Sequence, residues 1–264
     1  MKTSITLDGV GIHTGASARV TLGIASSPGI HVHTVSGSVT LTPENVIETT
    51  RCTVVGQGSV RISTVEHLSA ACTALGVTAL DVTTEGPELP IGDGASLFWM
   101  DALAELGFTN ESPKWIEISR ELEVSGTNGA FIGIYPAEEP SINVLVQFPD
   151  AVVGTMAARW VPGAEHFRTS VAPARTFGFR HEVDALLAAG LGRGGTLENC
   201  IVVEEAGYSG PLRMEREPAM HKLLDLVGDL GLCGWLPKAQ IVAVRPSHGL
   251  NVTAARELSA LMRK

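Results

Sequence analysis

Pro218-Ala-Met-His-Lys-Leu-Leu-Asp-Leu-Val-Gly-Asp-Leu-Gly-Leu-Cys233 carries the longest helical signal in the chain. Leu223, Leu224, Leu226, Val227 and Leu230 make such a helix apolar on most sides, which places it inside a fold rather than on its surface. His221, Asp225 and Asp229 succeed one another at four-residue spacing and share one of its faces. Taken alone, His-x-x-x-Asp reads first as an exposed ion pair one turn apart. The apolar company shifts the balance, because titratable groups on a buried element need partners or a metal.

Outward from this helix, a strand is expected at Gln240–Val244 and a last helix at Val252–Met262, with His248 in a glycine-bearing turn between them. Before it, Trp115–Val124, Ala130–Tyr135, Ser141–Phe148 and Thr155–Trp160 read as strands. His181–Ala189 reads as a helix, Gly190–Gly195 as a flexible loop, and Cys200–Val203 as a strand. The first half has the same flavour, with strands at Ala18–Ile24, Gly29–Val35, Ser38–Leu41, Cys52–Val55 and Ala79–Thr84. Ser63 and Glu66 form a capping-box pattern and Gly76 a stop, predicting a helix over Thr64–Leu75; Ser96–Leu106 predicts another, stopped by Gly107. The polar stretch Thr109–Lys114 separates the halves. The expectation is an α+β fold of two similar domains, 1–112 and 113–264, each a mainly antiparallel sheet with two helices.

Composition excludes several classes. The 264 residues carry 28 acidic against 19 basic side chains, a net charge of −9, with no basic block, so binding to nucleic-acid phosphates is not expected. Hydrophobic residues make up 44%, too many for a disordered chain. No apolar run is long enough to span a membrane, and the first residues hold no stretch suited to a signal peptide. Cys52, Cys72, Cys200 and Cys233 are scattered without a Cys-x-x-Cys pair, which suits a reducing cytoplasm and leaves metal binding to His and carboxylate.

Glu66-His67 is a second cluster beside the His221 helix. It reads either as a capping carboxylate next to an ordinary imidazole, or as a base adjoining a metal ligand. With His221 and Asp225, His67 would complete three protein ligands for Zn²⁺ with one open position, the pattern of catalytic zinc. His248 is either a surface residue or a general acid. His31-x-His33 is a rival pair on one strand face, weakened because no carboxylate lies between or just after them in the sequence.

Gly9-Val-Gly-Ile-His-Thr-Gly15, Arg61-Ile-Ser-Thr-Val-Glu-His-Leu68, Glu88-Leu-Pro-Ile-Gly-Asp-Gly-Ala-Ser96, Ala174-Arg-Thr-Phe-Gly-Phe179, His221–Leu230 and Ser247-His-Gly-Leu-Asn251 occur in this order. Together they resemble the UDP-3-O-acyl-N-acetylglucosamine deacetylases, zinc amidases of lipid A biosynthesis, from Gly9 to Asn251. The resemblance implies helices packed between two outer sheets and a Zn²⁺ site held by His67, His221 and Asp225. It implies that Glu66 is the base, that His248 is the acid or electrostatic partner oriented by Asp229, that Thr176 helps hold the oxyanion, and that Lys222 lies beside the substrate with His13 nearby. It further implies a βαβ insert at about 177–203 whose Phe177, Leu186, Leu191 and Gly195 contact the acyl chain; ordinary core packing is the alternative for the leucines. The implied partner is an acylated UDP-sugar, met by a cytoplasmic monomer with transient contact at a membrane surface. Two departures from the family pattern leave two alternatives open: a chain somewhat short for the family, through trimmed strands in the first domain and a poorly matching stretch near Phe148–Trp160, and Ala95-Ser96 in place of Ser-Ala. One is a related deacetylase of another N-acetylated sugar; the other is a non-catalytic sugar-nucleotide-binding protein.

Overall fold

Alternation of side chains builds the first sheet: Ala18, Val20 and Leu22 of Ser17–Gly23 point inward while Ser17 and Arg19 face water. The computed structural model describes residues 2–163 and 165–262. Five strands lie in the order Ser4–Val10, Ser17–Gly23, Ala79–Thr84, Gly29–Thr34, Gly37–Thr40. Every pairing is antiparallel except Gly29–Thr34 with Ala79–Thr84. A second five-stranded sheet has the order Leu122–Ser125, Phe131–Pro136, Ala239–Val244, Ser141–Gln147, Thr155–Trp160, and again its one parallel pair joins the third strand in sequence to the last. The repeated order of elements in the sequence is therefore a repeated topology.

The helices are α1 (Glu66–Ala74), α2 (Leu97–Glu105), α3 (Phe167–Ser170), α4 (Arg180–Ala188), α5 (Glu217–Gly231) and α6 (His248–Met262). In each half a helix precedes the last strand of the sheet and another comes after it. α5 packs on α1, on α6 and on the strands Ser141–Gln147 and Thr155–Trp160. It is buried nearly throughout, which is why its leucines surround the stripe of His221, Asp225 and Asp229. Gly228 explains how closely α1 and α5 cross: a Cβ there would stand 2.2 Å from the Glu66 carbonyl oxygen. No helix among the described residues is long and apolar enough to cross a membrane.

The insert is a βαβ unit, with Thr176–Phe179 parallel to Cys200–Glu204 across α4 and a short strand, Gly207–Tyr208, beside it. A three-stranded sheet of Val46–Glu48, Val54–Gln57 and Val60–Ile62 takes the corresponding place in the chain order of the first half, between Gly37–Thr40 and α1.

Several expectations change. The capping box at Ser63 does not form. Thr64 adopts a left-handed φ of 60°, so α1 starts only at Glu66; Ser63 Oγ donates to the Pro87 carbonyl instead. Trp115–Val124 is two strands, Trp115–Ile116 and Leu122–Ser125, the former pairing with Leu236–Pro237. His248 is not in a turn: it opens α6, because Ser247 accepts the backbone N–H of Leu250 on its hydroxyl and that of Asn251 on its carbonyl.

Candidate active site

α1 presents Glu66 and His67, α5 presents His221, Lys222, Asp225 and Asp229, and α6 presents His248. The crossing at Gly228 brings these faces together. Ligand atoms of His67, His221 and Asp225 all lie within 4.8 Å of one another, and this is the only such group found among the described residues. His31 and His33 take no part: His31 contacts Ser27 and Thr40, and His33 lies 2.8 Å from Asp81.

The chemistry of the trio asks for a cation. His221 Nδ1 donates to the Ala174 carbonyl at 3.0 Å, and burial holds the ring's pKa below its ordinary value. Its Nε2 therefore carries a bare lone pair, 3.2 Å from Asp225 Oδ1. Two acceptors facing each other in a buried site repel unless positive charge sits between them. Asp225 Oδ1 and His67 Nδ1 are both buried without a hydrogen bond. Burial drives the His67 pKa down to about 3, so this imidazole too is neutral. Burial opposes the charge on Asp225, but the Lys222 ammonium and the His248 imidazolium beside it outweigh that cost and keep the carboxylate ionised. The residues present fit a zinc ion.

Further contacts hold these three side chains in place. The Ala174 carbonyl is set by its neighbour Arg175, which forms a buried pair with Glu217 at the start of α5, Nε to Oε1 at 2.9 Å. Lys222 Nζ donates to Asp225 Oδ2 at 2.7 Å. Ser96, in the altered Ala-Ser order, donates from its hydroxyl to the His67 carbonyl at 2.9 Å.

Beside the trio stand the acid–base candidates. His248 Nδ1 lies 2.9 Å from Asp229 Oδ2, and its Nε2 faces Glu66 Oε1 at 4.0 Å and Asp225 Oδ2 at 3.9 Å. Burial disfavours the imidazolium, yet Asp229, Asp225 and Glu66 lift its pKa to about 9. Burial raises the Glu66 carboxyl to about 8, with Asp229 and Asp225 adding to the rise against His248.

The trio opens into a cavity of about 660 Å³ whose lining includes His13, Thr176, Phe177, Leu186 and Gly195. Leu191 is outside the lining, and Asp229 lies behind His248. Nothing on α4 is buried, so Leu186 and Leu187 are wall rather than core. The model of the UDP-3-O-acyl N-acetylglycosamine deacetylase family matches residues 1–260. The chain belongs to that family. Among the relatives of this deacetylase-family chain, a UDP-3-O-acyl-N-acetylglucosamine deacetylase of Synechocystis sp. is 36% identical over 98% of this chain and 97% of its own. Relatives bearing the same name from Phenylobacterium zucineum and Helicobacter pylori are 39% and 34% identical, over 96% and 97% of this chain and 89% of theirs.

This deacetylase-family site also contains residues that sequence reasoning missed. Thr53 and Asn251 donate to Asp229 at 2.5 and 2.9 Å. Glu88 accepts from the backbone of His13 and Thr14 and from the hydroxyls of Thr14 and Thr64, tying the His13 turn to the entry of α1. Arg51, in the cavity wall, pairs with Glu182 of α4 at 2.9 Å, spanning 131 residues of sequence. Glu88 opens the Glu88–Ser96 motif and Asn251 closes the Ser247–Asn251 motif, and those places are the available signals; Thr53 and Arg51 carry none.

Proposed function

We propose that the chain hydrolyses the N-acetyl amide of a UDP-3-O-acyl-N-acetylglucosamine with Zn²⁺ held by His67, His221 and Asp225, releasing acetate. The observation that carries this reading is the His221 Nε2 lone pair held 3.2 Å from Asp225 Oδ1 beside His67, at the floor of an apolar-walled cavity. When bound, Zn²⁺ would polarise the amide carbonyl, lower the pKa of water toward ~7 and draw the Glu66 carboxyl back to its ionised form.

Glu66 then takes the proton of the attacking water on Oε1, the oxygen turned toward His248. His248, kept protonated through Asp229, offers its Nε2 proton to the departing amine. Thr176, fixed by its backbone N–H to the Gly94 carbonyl at 2.8 Å, presents its hydroxyl toward the developing oxyanion, a contribution of roughly 3 kcal/mol for a well-placed donor. Lys222, tied to Asp225, brings positive charge to the same wall. Phe177, Leu186 and Leu187 cover the acyl chain, and His13 and Gly195 line the same cavity.

The test is acetate release from a panel of acylated and non-acylated UDP-N-acetylhexosamines by zinc-loaded protein. Release confined to the 3-O-acylated N-acetylglucosamine supports the proposal. Release from another N-acetylated sugar in preference, or binding without release, overturns it.

A further inference from the structure

Thr53 lies where the base and the acid pair meet. It is fully buried, immediately before the strand Val54–Gln57. Its backbone N–H donates to Glu66 Oε2 at 3.0 Å and its hydroxyl donates to Asp229 Oδ1 at 2.5 Å. Its carbonyl accepts the N–H of Val65 at 3.3 Å, locking it to the residue that precedes α1. The hydroxyl oxygen is also 3.3 Å from His248 Nδ1.

These contacts orient two carboxylates. The N–H on Oε2 leaves Oε1 of Glu66 as the oxygen facing His248. The hydroxyl on Oδ1 holds the plane of the Asp229 carboxylate, so that Oδ2 meets the His248 ring and the Asn251 amide, each at 2.9 Å. A β-branched side chain suits this duty, since its χ1 has few choices. We infer that Thr53 is a positioning residue: one side chain and its own backbone set Glu66 against the Asp229–His248 pair, and so fix the separation between proton acceptor and proton donor. Glu66 and Asp229 belong to different halves of the fold, and Thr53 is the residue that measures one against the other.

The inference rests on the roles proposed for Glu66 and His248, and the experiment keeps the two separable. Thr53→Val keeps the shape and removes the hydroxyl; Thr53→Ser keeps the hydroxyl. In acetate release, Thr53→Val should lower kcat roughly tenfold or more, as for loss of a hydrogen bond to a buried charge. KM and zinc content should stay at the wild-type level, and Thr53→Ser should restore most of the rate. A second readout needs no turnover. Proton NMR should show the His248 Nδ1–H as a far-downfield resonance, assigned by its absence in His248→Gln, that shifts or broadens in Thr53→Val and stays in place in Thr53→Ser. If wild-type protein releases no acetate, the functional reading fails while the resonance still decides the place of Thr53. Should Thr53→Val not fold, Thr53→Ala removes the same hydroxyl and is read in the same way. A hydroxyl-free variant with wild-type kcat and an unmoved resonance overturns the inference, as does a serine variant impaired as badly as valine.

Discussion

Gly228→Ala places one methyl group where α5 meets α1. The new Cβ would lie 2.2 Å from the Glu66 carbonyl oxygen and within 3.2 Å of the Glu66 Cα, so it meets backbone rather than a flexible side chain. The helices must part by roughly 1 Å before that contact becomes an ordinary one. Alanine improves helix propensity by about 1 kcal/mol over glycine, whereas overpacking a core costs about 1–3 kcal/mol. Against rigid backbone the upper part of that range applies, leaving a net loss of about 1–2 kcal/mol and a fall in Tm of a few degrees. The larger effect is on the site. His67 rides on α1 while His221 and Asp225 ride on α5, so a parting of roughly 1 Å spreads the ligand set, and a displacement of that size can cost about 10²-fold in activity. Thermal unfolding and competition with a calibrated chelator measure the two effects. A Gly228→Ala protein as stable as wild type, with unchanged zinc affinity, would refute the close crossing.

Glu66→Gln should keep its metal and lose about 10²–10⁴ in turnover, since it removes a base and not a ligand; metal analysis beside acetate release checks both halves. In metal-free protein, Glu66 at about 8 and His248 at about 9 sit above their ordinary values of 4.5 and 6.5, so the folded state binds both protons more tightly than the unfolded one. That stability is complete below the unfolded values and drains as pH rises through the folded ones, so Tm should fall between about pH 6.5 and 9, less steeply in His248→Gln; a Tm that climbs across this window contradicts the charge arrangement. Leu186→Ala should raise KM for the acylated substrate roughly tenfold with kcat maintained, the scale of one buried leucine; an unchanged KM removes α4 from the acyl wall.

The elements legible in the sequence are those that obey a local period. The inward–outward alternation of Ala79–Thr84 and Thr155–Trp160 marks both strands to the residue, and the apolar surround of His221 and Asp225 marks them as buried. Features set by distances between elements escape such a reading. Gly228 is one weak helix residue until its neighbour across α1 is visible. Thr53 is an ordinary threonine in a β-like run, and its partner Asp229 lies 176 residues away. The left-handed backbone at Thr64 defeats the capping box because Thr64 is drawn to Glu88, a tertiary contact that overrides the local pattern. Gly249 suggests a break and hence a turn at His248, whereas Ser247 supplies the cap that starts α6.

The most direct test is the metal content of protein purified without chelator. A site built from His67, His221 and Asp225 predicts one equivalent of zinc in wild type and in Glu66→Gln, and loss of that zinc in His67→Ala and in Asp225→Ala. Wild-type protein holding less than half an equivalent, or ligand variants that hold as much as wild type, would contradict it.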